Sequence, residues 1–502
     1  MDRAALPFSD RRWGSALHEF DLVIRGGNVV TAVDRFDADL GIIGERIAAL
    51  GEKLGPGKRE IDARGKLVLP GGIDSHCHIE QLSAFGVMTA DDFYSGTVSA
   101  AYGGTTTVIP FAAQQRGQSV RQVVDDYREA AKKAVIDHAF HMIVSDPTPA
   151  VLEDELPGLI KEGFSSIKLF MTYDKIRVSD EQMLDVLALA RTEGAMVVVH
   201  AENHGMIHWL AQRLLDKGYT APRYHAVSHV RLAETEAVSR AIQMAAMIDQ
   251  PLVIFHISTE GSMSAIRAAQ DLGQKIYGET GPQYLFLTAD DLDKPGVDGA
   301  MWCCSPPPRD TADQAAMWRG LANGTFQVFS SDHAPYSFDK HGKLARGENP
   351  DFKNIANGLP GLELRMPLLF SEGVMKGRID IHRFVELCCT GGARLYGLHP
   401  KKGTIAIGSD ADIGIWDPDK SKTIDHDSTH DATGYCPYAG MTLSGWPVTV
   451  LARSEVIVDD GEFQGERGRG RLLLREAGDA AKPLGRLVPE MDPGRNFGAE
   501  VV

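Results

Sequence analysis

Leu69-Pro70-Gly71-Gly72-Ile73-Asp74-Ser75-His76-Cys77-His78 decides how the rest of the chain is read. An apolar run ends in His76-x-His78, and side chains two apart on a strand point to the same face. Two imidazoles side by side at a strand end suit a metal ion, histidine being the commonest ligand for one. In a chain with 17 histidines the pair alone fits an ordinary surface strand equally well. The reading turns on whether later strands deliver more ligands to the same end.

The middle of the chain alternates. Apolar strand-like runs fall at 73–78, 105–111, 138–144, 166–171, 196–200, 252–257, 275–279 and 327–332. Helical patterning lies between many of them, at 119–134, 180–193, 232–248, 261–272 and 310–323. Strands alternating with helices indicate a parallel sheet, and about eight of them suggest a closed (β/α)8 TIM-like barrel. An open doubly wound sheet is the competing fold, but it calls for a glycine-rich nucleotide turn after its first strand. Gly103-Gly104 and Gly465-x-x-Gly468-x-Gly470 lack the spacing or the context for that turn.

The flanks have a different texture. Short β patterns with glycine punctuation occur at 21–31, 38–49 and 66–69, and again at 403–416 and 448–458. They predict a small β-sandwich built from both chain ends, parts 21–69 and 401–463, around a barrel over 70–400. Residues 1–20 form an N-terminal extension. Residues 464–502, Gly- and Arg-rich and then Pro-rich, form an arm that is either disordered or docked on a neighbouring subunit.

Composition excludes several classes. With 43% hydrophobic and 24% charged residues, the chain has the balance of an ordinary globular protein. A formal charge of −16 and the lack of a basic stripe argue against nucleic-acid binding. Residues 1–20 lack the apolar core of a secretory signal, and no stretch offers the ~18 apolar residues of a membrane span. Six cysteines, including Cys303-Cys304 and Cys388-Cys389, contain no C-x-x-C pair, so neither a zinc ribbon nor a disulfide framework is expected. Buried thiols in a reducing, cytoplasmic compartment fit better.

Barrel enzymes place their chemistry at the C-terminal ends of the strands. Read there, the first strand ends in His76 and His78, the fourth carries Lys168, the fifth ends in His200, the sixth in His256 and the eighth in Asp332. Taken singly, a histidine closing a strand is a common loop residue, and a lysine can snorkel to the rim. Five strands delivering such groups to one end are hard to explain that way. Glu202 could orient a ligand imidazole or cap a helix. His204 and His208 on a helix, and His225 and His229 over a loop, read as surface groups or as supports behind the ligands. Cys77 should pack away from the metal face, and Glu80-Gln81 should put a polar group near the pocket mouth.

The motifs Gly71-Gly72-Ile73-Asp74-x-His76-x-His78, Lys168-Leu169-Phe170-Met171-x-Tyr173, His200-Ala201-Glu202-Asn203, Ser305-Pro306-Pro307-x-Arg309, Ser331-Asp332-His333 and Asn357-Gly358-x-Pro360-Gly361-x-Glu363 stand in this order. Together they resemble the amidohydrolase superfamily, and within it the dihydropyrimidinases and D-hydantoinases, over residues 21–460. The resemblance implies that Lys168 is carbamylated by CO2 to N6-carboxylysine. His76, His78 and Asp332 would then hold one divalent metal and His200 and His256 a second, with the carbamate bridging. Nitrogen and oxygen donors suit Zn(II), with Mn, Co or Fe compatible by ligand type. By the same resemblance Asp332 is the proton shuttle and the Tyr173 hydroxyl stabilises the oxyanion, while Ser305 and Asn357 hold the amide edge of the substrate. The implied reaction opens a dihydropyrimidine or 5-substituted hydantoin to an N-carbamoyl amino acid in a homotetramer or homodimer.

Asp332-His333-Ala334-Pro335 is also similar to the corresponding run of dihydroorotases and allantoinases, which keeps an allantoinase-like or cyclic imide hydrolase as an alternative. A non-catalytic scaffold of the dihydropyrimidinase-like kind is disfavoured, because every ligand position is filled.

Overall fold

The computed structural model describes residues 19–501, so the N-terminal extension lies, apart from Glu19 and Phe20, outside the described residues. The barrel strands are β1 (Gly72–Cys77), β2 (Thr105–Ala113), β3 (His141–Ile143), β4 (Ser166–Phe170), β5 (Met196–His200), β6 (Leu252–Ile254), β7 (Ile276–Thr280) and β8 (Phe326–Phe329). They pair in parallel, each with its neighbours in sequence. A parallel bridge between Cys77 and His333 closes the ring from the segment after β8 back to β1. The run at 138–144 is broken: Asp137–His138 pairs with β2 ahead of β3, and Ala139-Phe140 lies between them.

All five helices expected from the patterning form, as Val120–Ala130, Asp180–Glu193, Arg231–Ile248, Glu260–Asp271 and Thr311–Asn323. Four begin at a side chain that accepts backbone N–H groups: Ser119, Ser179, Thr259 and Asp310. The helix Phe93–Tyr102 follows β1 without a sequence signal. Phe93, Gly96, Thr97, Ser99, Ala100 and Ala101 are all buried, so it has little amphipathic contrast to read.

Alternation along the strands sorts residues into two cores. Ile73, Phe111, Phe170, Val198, Phe255 and Val328 fill the barrel, whereas Ile167, Leu169, Val197 and Val199 pack against the helices. A period of two therefore puts Lys168 in phase with Phe170, and His200 in phase with Val198, on the inner side.

Both chain ends build one nine-stranded sheet. Its key strand is Leu67–Pro70, which pairs with Phe20–Val30 on one side and Ile413–Thr423 on the other before running into β1. Ile24, Leu40, Val68, Ile413 and Leu451 share its core. The C-terminal arm docks on the barrel of its own chain, where the sequence left only disorder or a neighbouring subunit. Leu473 N donates to His138 O at 2.7 Å and Arg475 N to Gly163 O at 3.1 Å. The buried Arg475 guanidinium donates to Phe140 O at 3.1 Å and Ser166 Oγ at 2.6 Å. These contacts lie at the N-terminal end of the barrel, and Leu473, Ala481 and Met491 are the buried apolar anchors, with Leu472, Ala477, Leu487 and Val488 packed beside them. No helix among the described residues is long and apolar enough to cross a membrane.

A buried ion cluster joins the two sheets. Lys402 Nζ lies 2.7 Å from both Asp137 and Asp412 and 3.1 Å from Asp410, and Arg453 Nε lies 3.1 Å from Asp137. Removing the central cation strands carboxylates away from water. Lys402→Met is expected to lower stability by about 3–5 kcal/mol, measured as a shifted urea midpoint.

Candidate metal centre and active site

The C-terminal ends of the barrel strands open into one cavity, and every nominated residue lines it: His76, His78, Lys168, His200, His256 and Asp332, with Tyr173, Ser305 and Asn357 beside them. His76 Nε2 and His78 Nε2 lie 3.1 and 3.3 Å from Asp332 Oδ1. These three residues offer ligand atoms within 4.8 Å of one another. The His200 and His256 rings are 4.3 Å apart, and His256 is 5.3 Å from His76. Tyr173, His256 and Asp332 all have left-handed backbone, with φ of 73°, 41° and 47°. Side chains other than glycine rarely adopt it, and each such residue costs on the order of 1–3 kcal/mol. In return the chain turns sharply enough to aim these groups into the cavity.

Lys168 is fully buried, and its Nζ has no hydrogen-bond partner among the described residues. The amine sits over the Phe255, Phe170 and Phe111 rings, 4.2, 4.8 and 5.5 Å from their centroids. Burial pushes its pKa down to about 7, against the opposing pull of Asp332 and Glu279. His256 Nδ1 is likewise buried without a partner. Burial alone would raise the Asp332 carboxyl, but His76 and His78 outweigh it and hold the group well below the ordinary carboxylate range.

Three of the four candidate ligand imidazoles are held from behind. His76 Nδ1 donates to Glu279 Oε1 at 2.6 Å, and His78 Nδ1 donates to Gln81 Oε1 at 2.8 Å. Both contacts direct Nε2 to the cavity, as second-layer partners of metal-binding histidines do. His200 Nε2 donates to Glu202 Oε2 at 2.8 Å, leaving Nδ1 as its free donor atom. The other oxygen of Glu202 is 2.9 Å from His229 Nδ1. His225 and His229 are therefore buried supports rather than surface or loop groups. The short helix Tyr224–Ser228 carries His225, whose Nε2 faces Cys304 O at 2.8 Å and Ser305 Oγ at 3.1 Å. His333 accepts from Gly361 N at Nδ1 and pairs with Asp91 through Nε2 at 3.1 Å, which fixes the backbone next to Asp332. Glu80 turns away to Lys133, 2.8 Å off, and Cys77 packs in the outer core.

Sequence reasoning missed Glu279, Asp91 and Lys343. Glu279 carried a readable signal, an acid near the end of an apolar strand. The Tyr173 phenol faces Ser305 and Asn357, and burial pushes its pKa well above the ordinary value, so it stays a proton donor. The loops carrying those two residues are tied together by Lys343. Its fully buried Nζ donates to Cys303 O at 2.7 Å and Gly358 O at 2.6 Å.

The donor set fits divalent ions: four imidazoles, one carboxylate and an amine that has shed most of its preference for a proton. An ammonium at Lys168 would repel cations, so the position fits a metal pair only as a neutral or anionic nitrogen group.

Comparison with known proteins agrees with this geometry. The amidohydrolase family model matches residues 67–463. A D-hydantoinase of Rhizobium radiobacter is 42% identical over 457 residues, 91% of this chain and 99% of that protein. The structure of a dihydropyrimidinase from Brevibacillus agri superposes with a TM-score of 0.88 at 41% identity, covering 91% of this chain and 99% of that one. An L-hydantoinase (dihydropyrimidinase) from Arthrobacter aurescens gives 0.82 at 29% identity, covering 91% and 100%. That family is metal-dependent, and with its barrel, its strand-end histidines and these relatives the chain belongs to the amidohydrolases.

Proposed function

We propose that the protein hydrolyses the amide bond of a cyclic ureide or imide, a dihydropyrimidine or 5-substituted hydantoin, releasing an N-carbamoyl amino acid. The observation that carries this is the meeting of four histidines, Asp332 and an unpartnered lysine in one cavity with Tyr173, Ser305 and Asn357.

In this reading the Lys168 amine attacks CO2, forming an N–C bond and losing one proton. The resulting carbamate supplies two anionic oxygens in place of a cation. His76, His78 and Asp332 would hold one divalent ion and His200 and His256 a second, with the Lys168 carbamate serving both, Zn(II) being the best match to the donors. Two such ions, when bound, would supply a hydroxide nucleophile at neutral pH and polarisation of the carbonyl. Asp332 accepts the nucleophile's proton at its carboxylate and returns it to the departing ring nitrogen. The Tyr173 hydroxyl donates to the developing oxyanion. Backbone groups at Ser305 and Asn357 hold the amide edge, on loops that Lys343 keeps in register. All six cysteines are buried and free, which supports a cytoplasmic setting. Assembly as a homotetramer or homodimer belongs to the same reading.

The deciding experiment measures metal content together with turnover on dihydrouracil, substituted hydantoins, allantoin and succinimide. Metal-loaded protein that opens none of these rings ends the proposal. Tyr173→Phe is expected to cut kcat by about 100-fold, with the metal retained; steady-state kinetics check this. Glu279→Gln should weaken metal binding by roughly 10- to 100-fold, read by competition with a chelating dye. CO2 capture needs the free amine, whose fraction grows as pH rises through about 7. At a fixed concentration of dissolved CO2, reactivation of metal-free, decarbamylated protein by Zn(II) should therefore speed up with rising pH across that range, followed as recovered turnover.

A further inference from the structure

Beyond Tyr173 and Asn357 the reaction cavity continues outward into a second one, the two sharing Ala84, Phe85, Tyr173 and Asn357 in their walls. A substituent on a ring held at Tyr173 and Asn357 has this outer space to occupy. Its inner wall is apolar, with Phe85, Ile207, Ala211 and Phe352. Its rim is cationic: Lys175, Arg346 and Lys353 line it, with His204 and His208 behind them.

Among the described residues Asp174 is the one carboxylate in that wall, and His204 Nε2 already engages it at 3.2 Å. None of Lys175, Arg346 and Lys353 has an ion-pair partner among the described residues. The Arg346 guanidinium is anchored instead by donating to Phe85 O at 2.9 Å. Burial first, then Arg177, presses the His204 imidazole below its usual pKa against the pull of Asp174, with smaller contributions from His208 and Lys353. The whole chain carries a formal charge of −16, so three unpaired cations around one mouth run against its overall balance. A cleft lined by one sign of charge concentrates ligands of the other.

We infer that the site favours cyclic ureides whose exocyclic substituent is a short apolar stem ending in a carboxylate. The stem runs along Phe85, Ile207 and Phe352, and the carboxylate meets Lys175, Lys353 and Arg346 at the rim. This rests on the cyclic amide hydrolase reading and adds the substrate class to it. The cations act on capture, not on bond breaking, so their effect belongs in kcat/KM and fades with salt.

The test uses the full-length, metal-loaded enzyme and three hydantoins: with a carboxyethyl arm, with the isosteric carbamoylethyl arm and with an aminopropyl arm. Dihydrouracil serves as the unsubstituted reference. The expected result is a kcat/KM for the carboxylate about ten-fold above that for the amide at low ionic strength, with the amine poorest and the gap narrowing in high salt. In the double variant Lys175→Glu, Lys353→Glu the carboxylate-to-amide ratio should fall about ten-fold. Both side chains are exposed, so folding is not at stake. Equal kcat/KM for carboxylate and amide overturns the inference while leaving ring opening intact, as does a preference that survives charge reversal. Failure to open any ring, dihydrouracil included, overturns the underlying reading and this inference with it.

Discussion

A lysine amine sealed among three aromatic rings, with no hydrogen-bond acceptor among the described residues, is the constraint on which the rest of this site depends. An ammonium there would be costly to keep charged. The fold removes the water and supplies no carboxylate in contact, so the nitrogen is held near neutrality and available for covalent modification. Strand alternation enforces this. Ile167 and Leu169 must face the helices, so Lys168 cannot escape the barrel without taking them into it.

Around that amine the geometry is held by groups that never reach the substrate. Glu279, Gln81 and Glu202 each take the outward nitrogen of one imidazole, and His333 with Asp91 pins the turn at Asp332. Three residues in left-handed backbone would relax in a looser structure. Here the Cys77–His333 bridge and the bond from His78 N to His333 O at 2.6 Å join the first and last strands at the level of the cavity. Strain at the rim is tolerated because the ring beneath it is closed.

The barrel was legible because its signals are local. Period-two strands, capped amphipathic helices and motifs such as His76-x-His78 all sit within windows of a few residues. What escaped depends on distant pairings. Glu279 meets His76 across 203 positions and His333 meets Asp91 across 242, so no window contains both partners. Tyr224–Ser228 is too short to show a helical period, which left His225 and His229 looking like loop residues. The arm misled for a compositional reason. Its Gly, Arg and Pro content resembles a disordered tail, while the apolar residues that dock it follow neither a strand nor a helix period.

The sheet made from both termini has a consequence for biosynthesis. Leu67–Pro70 is flanked by one strand made early and another starting at Ile413, so part of that sheet stays without a neighbour until most of the chain has been translated. An unpaired apolar edge left waiting on the ribosome invites wrong partners. The barrel between the two halves must therefore fold, or be shielded by chaperones, while its foundation is incomplete.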